Sequence, residues 1–207
     1  MVNIAVLVSG GGTNLQALID AQARGAIPGG TISAVISSTQ SAYALERAKK
    51  AGIPGYVVSR KDYGSAREMT VALVEKLQAL DIGLVVMAGF MVIITQELVD
   101  AYPNRILNIH PSLIPSFCGK GCYGLHVHER ALQYGVKISG ATVHFVSEEC
   151  DAGPIVLQKA VAVEDGDTPE SLQQRIMEQA EWVILPQAVA LFCQGRLKVE
   201  GRQVHIL

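Results

Sequence analysis

The chain has 207 residues, enough for one α/β domain that buries a substantial core without disulfide or metal staples. Charged residues make up 17% of it and the formal net charge is −2, with Lys and Arg scattered rather than gathered in a stripe, so nucleic acid is not an expected partner. The longest apolar run, residues 82–94, falls short of the roughly 18 residues a spanning helix needs and is broken by Gly83 and Gly89, so no membrane partner is expected either. Met1-Val2-Asn3 leads into a strand pattern with no basic segment before it. The four cysteines, Cys118, Cys122, Cys150 and Cys193, suit reduced thiols, and the expected location is cytoplasmic.

The N-terminal half alternates strand and helix patterns. Residues 2–8 form a nearly continuous apolar strand, 14–23 a helix with Leu15, Leu18 and Ile19 on one face, and 31–36 a second strand. Residues 42–51 read as the returning helix, stopped by Gly52-Ile53-Pro54-Gly55, and a short third strand covers 56–58. An amphipathic helix over 65–79 leads to a buried strand at 84–87, and another strand follows at 106–109. The grammar then changes: loops rich in Gly and Pro precede two β-like runs, 140–146 and 155–163, and one long closing helix over 169–192 begins with Pro169 at its favoured first turn. The expected fold class is α/β: a single doubly wound, mostly parallel sheet across residues 1–207, with an irregular C-terminal half and the long closing helix.

Between the first strand and the first helix stands Ser9-Gly10-Gly11-Gly12-Thr13-Asn14. Backbone amides freed by glycine, together with the positive end of a helix, suit a phosphate; a tight turn that binds nothing is the competing reading. A dinucleotide fingerprint would need glycine where Leu15 stands and an acid near Ile36-Ser37-Ser38-Thr39. No Lys followed by Ser or Thr marks a triphosphate loop, so one phosphate monoester is the inference.

The sharpest signal is Asn108-Ile109-His110-Pro111-Ser112-Leu113-Ile114-Pro115 at the end of a buried strand, where open α/β sheets place their ligands. Strand alternation puts Asn108 and His110 on one side, offering an amide and an imidazole to one small polar group, while Pro111 and Pro115 stiffen the exit. Cys118 and Cys122 form a single Cys-x3-Cys with His126 and His128 nearby. That falls short of the four assured ligands of a structural zinc site, and no metal is expected.

This octapeptide resembles the Asn-x-His-Pro-Ser-Leu-x-Pro signature of the folate-dependent formyltransferases, which include enzymes acting on glycinamide ribonucleotide and on methionyl-tRNA. The turn at Ser9 to Asn14 with the following Leu15-Gln16-Ala17-Leu18-Ile19-Asp20 looks like that of the glycinamide branch, and Met87-Ala88-Gly89-Phe90-Met91 resembles its folate loop. The resemblance runs over nearly the whole chain. It implies small-molecule substrates, a ribonucleotide with a primary amine and 10-formyltetrahydrofolate as formyl donor, handled by a monomer or homodimer. Asn108, His110 and Asp151, the last in Asp151-Ala152-Gly153-Pro154, would be the catalytic groups. Gly12, Thr13 and Asn14 would take the phosphate, and Glu178 and Glu181, three apart on the closing helix and so facing together, the ribose. The folate would lie against Met91, Val92, Ile93 and Ile94 and the turn formed by Ser147, Glu148, Glu149, Cys150 and Asp151, contacting Asn108 as well, with Arg67 near its glutamate tail. Asp151 beside His110 is expected to hold the ring charged, and Asp151 or a water held by it to accept the proton of the attacking amine. Two departures stand out: Val92 occupies the place of an Arg in the family's folate loop, and Phe117-Cys118-Gly119-Lys120-Gly121-Cys122-Tyr123-Gly124 replaces a shorter turn. Other formyl-folate enzymes and a non-catalytic ribonucleotide-binding module are the alternative readings.

Overall fold

The computed structural model describes residues 1–207. Strands β1 (Val2–Val8), β2 (Gly30–Ser37), β3 (Gly55–Val57), β4 (Leu84–Met87) and β5 (Ile106–His110) pair in parallel. Antiparallel β6 (Ile138–Phe145) and β7 (Ile155–Ala162) complete a sheet of order β3-β2-β1-β4-β5-β6-β7. Ile4 to Val8 and Leu84 to Val86 are buried, the continuous apolar pattern of strands covered on both faces.

One hydrophobic cluster gathers Ile4, Val6 and Val86 with α1 (Thr13–Ala23), α2 (Tyr43–Lys50), α6 (Pro169–Ile176) and α7 (Trp182–Cys193). The other gathers Ala5, Leu7 and Val85 with α3 (Ala66–Ala79) and α4 (Gln96–Ala101). Odd and even residues of β1 thus enter opposite layers, as the two-residue period of a strand requires. Each core is one face of the sheet.

Helix α4, helix α5 (Leu125–Tyr134) and the terminal hairpin of β8 (Leu197–Glu200) and β9 (Gln203–Ile206) go beyond the elements expected from sequence. α4 is only six residues long and carries little periodic signal, while α5 begins inside the glycine-rich stretch that reads as loop. The closing helix also differs from its expected regular form. A π-helical turn, Met177–Glu181, separates α6 from α7, and Pro186 lies within α7. No helix is long and apolar enough to cross a membrane.

Candidate active site

Because β1 lies between β2 and β4, successive crossovers leave it in opposite directions and open a crevice beyond its C-terminal end. The glycine turn forms one wall. Gly12, at φ 72, caps α1, and a Cβ there would lie 2.7 Å from that of Ala44, so both conformation and packing demand glycine. Ala44 N–H donates to Gly10 O at 3.1 Å and Arg47 Nε to Gly11 O at 2.8 Å, pinning the turn against α2. Ser9 Oγ accepts from Met91 N–H at 2.8 Å, which ties the turn to the loop after β4. Two segments 82 residues apart thereby share one rim.

Behind the turn, Asn14 Nδ2 donates to Glu181 Oε2 at 2.6 Å, and Thr13 Oγ1 lies 3.8 Å from Met177 Sδ. The π turn spends more residues per revolution than an α-helix, so residues three apart lose their alignment. Glu178 stands exposed with Gln174 donating to it, whereas Glu181 is 6% exposed. The two carboxylates therefore do not face together as regular helical spacing predicts.

Burial pushes the Glu181 carboxyl up to about 7, opposed by the Asn14 hydrogen bond. An acid raised by folding adds stability below the ordinary carboxylate range, and that contribution is lost as pH rises toward 7. Glu181→Gln is therefore expected to raise the melting temperature relative to wild type at pH 8, by the equivalent of up to about 3 kcal/mol, and to change it little at pH 5. An equal shift at both pH values in thermal melts would contradict this.

The second wall is the exit of β5. Thr142 Oγ1 donates to Ser112 O at 2.6 Å and accepts from Ile114 N–H at 3.1 Å, while Gln158 Nε2 donates to Ile114 O at 3.0 Å. These bonds fix the segment running from Pro111 to Pro115 onto β6 and β7. His110 is buried beside it. Its Nε2 donates to Phe117 O at 3.0 Å, since a carbonyl only accepts, and its Nδ1 is 3.5 Å from Asp151 Oδ2. Asp151 also receives Gly119 N–H at 2.9 Å. The long 117–124 segment thus has a physical role: two of its backbone groups hold the His110–Asp151 pair.

Burial opposes ionisation of Asp151, but the His144 hydrogen bond, His110 and Gly119 N–H together outweigh it and hold the carboxyl at about 2. Burial likewise opposes a charged His110, and here it wins over Asp151 and the Phe117 carbonyl, leaving the ring below the ordinary imidazole range. The expectation that Asp151 holds His110 charged at rest is thereby corrected. Desolvation of a ring with 4% exposure exceeds the attraction of a carboxylate at 3.5 Å.

Asn108, His110 and Asp151 come together as the sequence suggests, but a fourth group joins them. His144 lies directly opposite Asn108 in the β5–β6 ladder, with its Nε2 3.1 Å from Asn108 Nδ2 and 3.6 Å from Asp151 Oδ1. His144 was visible in the segment before Asp151. Its meeting with Asn108 depends on strand register, which no local pattern reveals.

Around the crevice, Met91 and Ile93 are 54% and 80% exposed, while Val92 and Ile94 turn partly inward onto the second cluster. Ser147 Oγ donates to Glu149 O at 3.2 Å, leaving Glu148, Glu149 and Cys150 exposed in the turn before Asp151. Partial loss of water around the sulfur, on the side packed toward the site, and the neighbouring carboxylate of Asp151 push the Cys150 thiol up to about 11. Arg67 is engaged by Glu97, which also accepts from Thr95. Cys118 donates to Pro115 O at 3.3 Å and Cys122 accepts from Arg130; neither joins a group of three or more potential metal ligands.

A doubly wound sheet with a polar Asn–His–Asp–His cluster at its strand ends, facing a glycine turn, defines an enzyme of the α/β class. The model of the formyl transferase family matches residues 2–189, and the chain belongs to that family of folate-dependent enzymes. It is 43% identical over 206 residues to a phosphoribosylglycinamide formyltransferase from Haemophilus influenzae, covering 100% of this chain and 94% of the relative. The Escherichia coli protein of the same name is 40% identical over 198 residues, 96% of this chain and 90% of its own. A glycinamide ribonucleotide transformylase from Symbiobacterium toebii has a crystal structure that superposes with a TM-score of 0.94 at 48% identity, covering 100% of this chain and 94% of that one.

Proposed function

We propose that this chain is a cytoplasmic enzyme that transfers the formyl group of 10-formyltetrahydrofolate to the primary amine of glycinamide ribonucleotide. The observation that carries the reading is the cluster of Asn108, His110, Asp151 and His144 at the end of β5, across the crevice from the glycine turn. The names of the relatives support the same substrates. Gly12, Thr13 and Asn14 take the phosphate at the start of α1, with Glu181 behind Asn14 and Glu178 outside it. Exposed Met91 and Ile93 suit the flat, apolar benzoyl ring of a reduced folate, and the turn before Asp151 offers polar groups to its hydrogen-bonding pterin.

As the amine bonds to the formyl carbon, negative charge develops on the formyl oxygen, within the reach of a donor on Asn108. The attacking nitrogen must lose a proton, and the departing folate nitrogen must gain one when its bond to the formyl carbon breaks. One group can do both if it starts neutral. His110 meets that condition, and proton uptake creates an imidazolium that Asp151 stabilises. A carboxyl held at about 2 is too weak a base to keep the proton itself, so the contribution of Asp151 is its charge. To act on substrate, His110 gives up the Phe117 carbonyl and holds its single proton on Nδ1, toward Asp151, which leaves Nε2 bare to accept the proton of the amine.

Purified protein is expected to formylate glycinamide ribonucleotide when supplied with 10-formyltetrahydrofolate alone, monitored by mass of the product. Formylation that requires ATP and free formate would reject the reading. A subtler expectation concerns Val92, which rests partly on the second cluster where the family's loop carries Arg. The stem of an arginine can lie along that surface with its guanidinium in water, and exposed ion pairs contribute only about 0.2–1 kcal/mol. Val92→Arg should tighten polyglutamylated folate by a few-fold, more at low salt, with kcat nearly unchanged. Loss of folate binding in this variant would show that position 92 contacts the ligand directly.

A further inference from the structure

Three consecutive peptide units of the glycine turn have their carbonyls taken up by donors from the helices behind it. Gly10 O accepts Ala44 N–H at 3.1 Å, Gly11 O accepts Arg47 Nε–H at 2.8 Å and Gly12 O accepts Gln16 N–H at 2.9 Å. A trans peptide points its N–H opposite to its carbonyl, so the amides of Gly11, Gly12 and Thr13 point away from those donors, to the open side of the turn. None of the three donates to another group of the protein. The outer two carbonyls are held by backbone amides. The middle one is held by a charged side chain of α2, 36 positions further along the chain.

Arg47 is half-buried, with its stem beneath Gly12, where a Cβ would come 3.5 Å from Arg47 Cδ. Its other partners are neutral. Nη1 donates to Gln16 Oε1 at 3.0 Å, and the guanidinium carbon lies 5.1 Å from the centre of the Tyr43 ring. Asp20 is reached only through the far side of the Gln16 amide, and Arg47 makes no ion pair. Its charge thus stays uncancelled where it meets the Gly11 carbonyl. A cation bonded to a carbonyl draws electron density through the conjugated peptide and makes the N–H at the other end a stronger donor. That N–H belongs to Gly12. The start of α1 adds a second source of positive potential at the same place. A neutral ligand gains little from this arrangement, and a dianion gains most.

We propose that Arg47 is a positioning residue for the phosphate of the ribonucleotide. From behind the turn it fixes the Gly11–Gly12 peptide with its N–H toward the ligand, and it supplies charge that favours a dianion without touching it. The proposal rests on the phosphate reading of the turn given above, but not on formyl transfer, and the two can be tested apart. Binding of ribose 5-phosphate, measured by calorimetry with no folate present, compares wild type with Arg47→Met, which keeps an unbranched stem and loses the charge and the donor. The dissociation constant should rise about tenfold, the scale of losing one charge-assisted hydrogen bond, and Arg47→Lys should recover most of the loss. Equal affinity in wild type and Arg47→Met would overturn the proposal, whether or not the enzyme formylates anything. Should Arg47→Met fail to fold, Arg47→Gln gives the same comparison, polar but without the charge. Wild type that binds no ribose 5-phosphate would overturn the phosphate reading of the turn and the part of Arg47 with it. In the kinetic arm, the loss in Arg47→Met should fall on ribonucleotide KM, with kcat and folate KM within about twofold of wild type. With the dephosphorylated nucleoside as acceptor, the two proteins should have equal kcat/KM, because the group that Arg47 serves is gone. The same loss on both acceptors would show that Arg47 only supports the fold.

Discussion

Asp151→Asn is expected to reduce kcat by about 10²- to 10⁴-fold while leaving ribonucleotide binding largely intact. The side chain keeps its shape and can still accept Gly119 N–H, so the turn should hold. What disappears is the negative charge 3.5 Å from His110 Nδ1 that stabilises the ring once it has taken up a proton. Wild-type activity should fall on the acid side as His110 becomes charged before it can accept a proton, at a pH below the ordinary imidazole range. Removing Asp151 removes a group that raises the pKa of this ring, so the acid limb should move to still lower pH in the variant. His110→Ala should be about as damaging, and the double variant little worse, because the two act as a unit. A near-normal kcat for Asp151→Asn across neutral pH would remove the carboxylate from the mechanism.

Gly153→Ala is expected to harm stability and activity together. A Cβ at Gly153 would collide with the backbone carbonyl of Phe145 and lie 3.3 Å from Ser147 N. Neither is the mobile tip of a flexible side chain. The hydrogen bond from Phe145 N–H to Pro154 O, 2.8 Å, clamps the same turn, so the clash must be relieved by displacing backbone. Overpacking of this kind typically costs about 1–3 kcal/mol, several degrees of melting temperature in a chain of this size. The displaced segment carries Asp151 two residues earlier, and an error of about 1 Å there can cost on the order of 10²-fold in rate. Gly10→Ala is the control for folding, since a Cβ at Gly10 meets nothing within 4 Å. Unchanged melting and kcat in Gly153→Ala would mean that the turn tolerates movement and that Asp151 is not held by it.

Some of this site was legible because its signals are local. The octapeptide from Asn108 to Pro115 combines a strand end, a fixed two-residue offset and two rigid prolines, all properties of consecutive residues. The glycine turn was legible for the same reason. His144 was not, since its place in the cluster depends on standing opposite Asn108, 36 positions earlier in the chain. The 117–124 segment looked like an unexplained insertion because it works through Phe117 O and Gly119 N–H, backbone groups that every residue possesses. Glu178 and Glu181 do not form the facing pair that regular helical spacing implies because both lie within the π turn Met177–Glu181, whose wider winding changes the angle between residues three apart.

By itself, the sequence determined the class of the fold, the layering of its strands and the residues able to do chemistry. Hydrophobic period and glycine placement are enforced by short-range sterics and by the need to bury apolar side chains. Only the tertiary structure decided the state of those residues. Whether His110 rests neutral, Asp151 ionised and Glu181 poised near neutrality depends on how much water each group loses and which partners replace it. Those partners come from β5, β6, the turn before β7 and the closing helix. Coulomb attraction and desolvation depend on distance through space, and distance along the chain carries almost no information about it.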